Sequence, residues 1–251
     1  MLSPGCIIRG VIQASSQFPT TAWTLVVSAG RQSDERSVHA LACLCERYWY
    51  PLYAYVRRRG YTAEQAQDLT QEFFARLLEK RYIDRADRSR GRFRSFLLSS
   101  LTCFLFDEAD RGRALKRGGS HAPVPLEFRD GEEMYRREPS HTETPERIFE
   151  RRWAQATLER VLARLRAEFA AGREPAHFER LKGFLLGADA DLPYAVVARE
   201  LKITEGALKV AVYRLRKRYR AVLRAEIAET VSDPGEIDGE IRYLANALAA
   251  T

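Results

Sequence analysis

The sequence predicts an all-α protein of two small helical domains joined by a linker, the second ending in a helix-turn-helix. Three observations lead there. No run shows the period-two alternation of a strand bounded by hairpin turns. From Thr20 onward, apolar residues recur at three- and four-residue spacing. The periodic stretches also begin and end at helix capping signals. A chain of 251 residues holds either one large domain or two of ordinary size.

In chain order, residues 1–19 read as a loose leader ending at Pro19. Helices are expected over Trp23 to Ala29, Ser33 to Gly60, Ala63 to Lys80 and Arg92 to Arg111. Gly60 ends the second of these, and Thr62 with Gln65 forms a capping box for the third. From Gly112 to Thr144 the composition changes. Gly118, Gly119, Pro123, Pro125, Gly131 and Pro139 mark a linker, with an extended piece at Val124 to Phe128. Thr144 followed by Pro145 is an N-cap with proline at the first helical position. The helix that follows carries Trp153, Leu158, Val161, Leu162, Leu165 and Phe169 as a core stripe. A helix over Pro175 to Leu186 leads to Pro193 and the helix-turn-helix. Beyond Asp233-Pro234-Gly235, a last short helix is expected over Ile237 to Leu248. The expected organisation is therefore a leader at 1–19, a helical domain at 20–112, a linker at 113–144, a helix-turn-helix domain at 145–226 and a tail at 227–251.

The net charge is +7 and the isoelectric point is near 9.4, which favours an anionic partner, either nucleic acid or a membrane surface. No stretch approaches the roughly 20 apolar residues of a membrane span, and Cys6 to Ile12 is too short and too broken by Arg9 to read as a signal peptide. A cytoplasmic location is the expectation. Cys43 and Cys45 point to different sides of a helix, which suits neither a disulfide nor a metal pair, even with His39 as a third ligand. Neither a metal nor a cofactor is expected. There is no phosphate-cradling glycine loop, and the four histidines are scattered without a nucleophile. No catalytic residue is assigned, and an enzyme is not expected.

The positive charge is concentrated. Between Arg199 and Arg224 stand nine Lys or Arg against two Glu, an excess equal to that of the whole chain. Val197, Ala198 and Leu201 fall at helical spacing, Ile203 sits in a turn, and Leu208, Val212 and Leu215 continue one apolar face. Thr204 caps the second helix, and Gly206 tolerates close packing in its first turn. Lys209, Tyr213, Arg214 and Lys217 fall on the opposite face. A second helix of this kind enters the major groove with base contacts toward its N-terminus and phosphate contacts around it. A solvated charged surface helix is the competing reading.

Two stretches of the first domain also stand out. Asp68, Glu72 and Arg76 line up at four-residue spacing on the polar side of a helix, beside Gln71 and opposite Leu69, Phe73 and Leu77. From Gly91 through Arg94, Phe96 and Asp107 to Arg111, aromatic and basic residues interleave. Such aromatics either stack on unpaired bases beside the cations or belong to the core.

The order of these parts resembles bacterial RNA polymerase sigma factors, most closely the extracytoplasmic-function (ECF) type, over roughly Thr20 to Arg224. Asp68-Leu69-Thr70-Gln71-Glu72-Phe73-Phe74 looks like the family's DLVQETF helix. Val197-Ala198 through Arg216 looks like its C-terminal recognition motif, with an FR-aromatic-L segment, Phe93 to Leu97, between the two. The resemblance implies a detachable polymerase subunit that locates promoters, with core RNA polymerase and promoter DNA as partners and room for an inhibitory, anti-sigma partner. It places Asp68, Gln71, Glu72 and Arg76 on the polymerase-docking helix. It places Arg94, Phe96 and Arg111 near melted promoter DNA. Thr204, Glu205, Ala207, Lys209, Val210, Tyr213, Arg214, Arg216, Lys217 and Arg218 would meet duplex DNA. The chain departs from the family at Thr102-Cys103, where Arg-Asn is usual, and at Ser99-Ser100. These departures bear on promoter melting. Ala207, Val210 and Ala211 stand where polar residues are frequent; they can meet thymine methyls but make no bidentate bonds to purines. The linker is also long for the type. An independent helix-turn-helix regulator with a sensory or dimerising N-terminal domain is the alternative.

Overall fold

The computed structural model describes residues 35–78, 92–114, 131–138, 143–171, 175–186, 193–231 and 233–249. The expected leader, the helix at Trp23 to Ala29, the extended piece at Val124 to Phe128 and the side chains of His39, Cys43 and Cys45 lie outside what is described. Among the described residues all regular structure is helical, as the periodicity predicts. No described helix is long and apolar enough to cross a membrane.

The chain divides into two compact units, one of residues 1–153 with 228–251 and one of residues 154–227. In the first, α1 (Glu35–Arg58) runs through Pro51 and stops at Gly60, whose φ of 96° is the left-handed conformation expected of its terminator. The capping box of α2 (Ala63–Leu78) is formed as read. The Thr62 amide donates to Gln65 Oε1 at 3.0 Å, and the Gln65 amide donates to Thr62 Oγ1 at 3.2 Å. Phe73, Phe74 and Leu77 of α2 are fully buried, and Phe73 meets Phe104 of α3 (Phe93–Ala114) with ring centroids 5.8 Å apart. Tyr48 of α1 packs edge-on against Phe93 at 5.3 Å.

In sequence, the first unit includes residues of the stretches expected as linker and as tail. The stretch read as linker contains α4 (Gly131–Arg136), held against α1 by side-chain pairs. Glu132 accepts 2.9 Å bonds from both Nε and Nη2 of Arg57 and a 2.8 Å bond from the Tyr53 hydroxyl. Glu138 accepts from the Tyr50 hydroxyl at 2.6 Å and from Arg151 at 2.7 Å. These pairs push the Tyr50 and Tyr53 phenols above their ordinary range, through burial first and the carboxylates second. The tail also belongs to this unit. A short 3-10 turn, Pro234–Glu236, leads into α10 (Ile237–Ala249). Composition reads such segments as linker and tail because charged side chains are prominent among their anchors, with Leu244 the buried apolar residue of α10.

Between these, α5 (Pro145–Ala171) starts at Thr144 as expected, with the Arg147 amide 3.3 Å from Thr144 Oγ1. Val161 and Leu165 of its core stripe are fully buried. The helix expected over Pro175 to Leu186 is two pieces, α6 (Pro175–Leu181) and α7 (Gly183–Leu186), interrupted before the weak helix former Gly183. Phe178 of α6 packs on Phe169 at 5.4 Å. The second unit continues with α8 (Tyr194–Glu200) and α9 (Glu205–Ala228).

Candidate polymerase and nucleic-acid interfaces

The turn between α8 and α9 is built by local chemistry. The Ile203 amide donates to Ala198 O at 3.0 Å and the Lys202 amide to Arg199 O at 3.1 Å, so Lys202 occupies the left-handed position usually taken by glycine, with φ 55°. Thr204 then caps α9, its Oγ1 accepting from the Ala207 amide at 3.1 Å. Leu208, Val212 and Leu215 are buried on one face.

The opposite face of α9 carries most of the residues singled out in the sequence. Thr204, Glu205, Ala207, Lys209, Val210, Tyr213, Arg214, Arg216, Lys217 and Arg218 are all exposed. Their side chains are not equally available. Glu205 pairs with Lys209 at 2.7 Å and holds its ammonium above the ordinary range. Arg218 is bound bidentately by Glu168, at 2.6 and 2.7 Å, and Arg216 donates to Phe184 O at 3.1 Å. Among the described residues, Arg214 and Lys217 stand exposed without an ion pair. Beside them, Tyr213 is 68% and Val210 48% exposed, large apolar surface left in water on a cationic face.

On α2 the expected docking stripe is partly committed to the fold. Asp68 is exposed, Gln71 and Glu72 are half-buried, and Glu72 pairs with Arg76. Arg76 also reaches Glu108 of α3 at 2.8 Å and lies 5.0 Å from the Phe104 ring centroid. Glu108 in turn pairs with Arg111. The resulting chain of alternating charge fixes α2 against α3. Among the described residues, Asp68 and Gln71 are the members of the stripe without an ion pair.

The aromatic and basic residues of α3 separate by face. Phe93, Leu97, Leu101 and Phe104 are core, which decides part of the sequence alternative toward packing. Phe96 is half-buried and Arg111 exposed, whereas Arg94 is only 5% exposed and engaged inside the unit. Its guanidinium is bound by Glu240 of α10, so the nucleic-acid contact expected of Arg94 has no open geometry here. Sequence reasoning also missed a residue. Phe106 is 60% exposed, with the Arg59 guanidinium 5.7 Å from its ring centroid. It falls on the polar stripe of Ser99 and Cys103 at helical spacing, and that misplacement of a phenylalanine was a readable signal. Cys103 itself is a free, exposed thiol.

No curated protein and no solved structure matches the chain. The family model described as sigma-70 region 2 matches residues 44–108, which take in α1 from Leu44 onward, all of α2 and most of α3. Residues 44–108 are thus similar to sigma-70 region 2, a stretch that takes in the acidic helix α2 and the aromatic-basic helix α3.

Proposed function

We propose that this chain is a sigma factor of the ECF type, working in the cytoplasm with core RNA polymerase. In this reading residues 20–112 form the region-two-like domain and residues 145–226 a region-four-like domain. Helices α8 and α9 act as the helix-turn-helix that reads the distal promoter element. The observation that carries the reading is the sigma-70 region 2 match at 44–108 in a chain that also presents the exposed face of α9. On that face Arg214 and Lys217 supply phosphate contacts, while Val210, Tyr213 and Ala207 offer apolar surface to thymine methyls. Asp68 and Gln71, steadied by the Glu72–Arg76 pair, dock on polymerase. Exposed Phe106, half-buried Phe96 and Arg111 face unpaired promoter bases, where aromatics stack and cations hold the backbone. An inhibitory, anti-sigma-type partner would act by covering either of the first two surfaces.

Run-off transcription from fragmented genomic DNA tests the proposal. Core polymerase with the chain is expected to start at new sites that share an upstream element absent with core alone. Core that binds the chain yet gains no start sites would contradict it.

A further inference from the structure

The tail helix α10 lies on Arg92 and Arg94 at the start of α3. Glu240 is fully buried, yet its carboxylate is gripped by cations instead of apolar contacts. It accepts from Arg94 Nε at 2.7 Å and Arg94 Nη2 at 3.3 Å, and lies 2.9 Å from Arg92 Nε. Tyr243, one turn later, places its ring 3.7 Å from the Arg94 guanidinium carbon and 5.7 Å from that of Arg92. An anion and a flat ring presented together to a pair of arginines reproduce what a nucleotide presents, a phosphate and a base. Glu150 is the other acid beside Arg94, 3.9 Å away, and Trp153 lies on it at 5.1 Å.

Of the helix residues from Ile237 to Ala249, Glu240 and Leu244 are buried, and Ile237, Ile241, Tyr243 and Leu248 are half-buried, so a charged contact stands at the centre of a partly apolar seat. A cavity of about 200 Å³ lined by Arg147, Glu150, Tyr243, Asn246 and Ala247 leaves one flank of the helix open. An attachment carried by charge is one that a polyanion can compete for.

We propose that α10 is an internal competitor of single-stranded promoter DNA, seated on Arg92 and Arg94 until nucleic acid displaces it. The inference rests on the sigma-factor reading of α3. Its consequence is autoinhibition: the free chain binds single strands poorly, and displacement of the tail exposes both arginines.

The test is fluorescence anisotropy of the full chain with a labelled single-stranded oligonucleotide of mixed sequence, wild type beside Glu240→Gln and Tyr243→Ala. Each variant is checked for folding by thermal melting. Both are expected to bind the strand about tenfold tighter, the scale of one charge-assisted pair released. A folded variant that binds no tighter than wild type overturns the proposal. Should both variants unfold, hydrogen exchange of the wild-type chain decides. Residues 237–249 are expected to lose protection when the oligonucleotide is added, and unchanged protection at saturation overturns the inference. Polymerase co-purification of the same proteins separates the two readings. Polymerase recovered without a tail effect removes only the autoinhibition, whereas a tail effect without polymerase removes the sigma-factor reading.

Discussion

At the scale of single residues, the backbone of Lys202 makes the plainest demand. A lysine at φ 55° sits where a side chain costs energy and glycine does not. Lys202→Gly is therefore expected to stabilise the second unit by about 0.5–1 kcal/mol in chemical denaturation, net of the flexibility glycine adds to the unfolded chain. A loss of stability would show that the turn is not strained. Gly131 makes the opposite demand. A Cβ there would stand 3.1 Å from Cζ3 of Trp49, tighter than ordinary packing, and in ordinary contact with Tyr53 at 3.5 Å. Gly131→Ala should displace the indole and lower the stability of the first unit by roughly 1 kcal/mol, with a changed Trp emission. Neither residue was legible as special in the sequence. Lys202 reads as one more cation of a basic motif, and Gly131 as a linker glycine. The capping residues Gly60, Thr62, Gln65, Thr144 and Thr204 were legible, because their chemistry is local and needs no partner distant in the chain.

At the scale of elements, α4 and α9 carry the testable physics. The Glu132 carboxylate is held below its ordinary range chiefly by its bonds from Arg57, helped by Tyr53. A carboxylate with a lowered folded pKa stabilises the fold above its unfolded pKa and loses that contribution as pH falls through the folded one. Docking of α4 should therefore be complete at neutral pH and weaken at and below the ordinary carboxylate range. Trp49 emission would follow it, and Glu132→Gln should flatten that titration. An acid transition unaffected by the substitution would contradict the assignment. For α9, Arg214→Glu with Lys217→Glu should weaken duplex binding by an order of magnitude or more. The reversal should also reduce the salt dependence by about two phosphate contacts. Binding that keeps its affinity would remove α9 from the DNA interface. The basic face of α9 was readable from charge and spacing together. The docking of α4 was not, because it depends on ion pairs between residues some 75 positions apart.

At the scale of the whole molecule, the sequence order of an acidic amphipathic helix, an aromatic-basic helix and a distal basic motif carried most of the functional reading. The region 2 match covers the first two of these. What the sequence hid is that α4 and α10, both outside that match, return to it through acids: Glu132 on Arg57, and Glu240 on Arg94. Long-range charge pairing leaves no periodic trace, so Arg94 read as a DNA contact when its partner lay 146 residues away. The central claim, that this chain works as a polymerase subunit, is tested most directly by co-purification of the tagged chain with core RNA polymerase, wild type beside Asp68→Lys with Glu72→Lys. Stoichiometric recovery of polymerase by the wild type, lost in the variant while duplex DNA binding persists, is the predicted result. Equal recovery by both would contradict the docking role of α2, and no recovery by the wild type would contradict the claim itself.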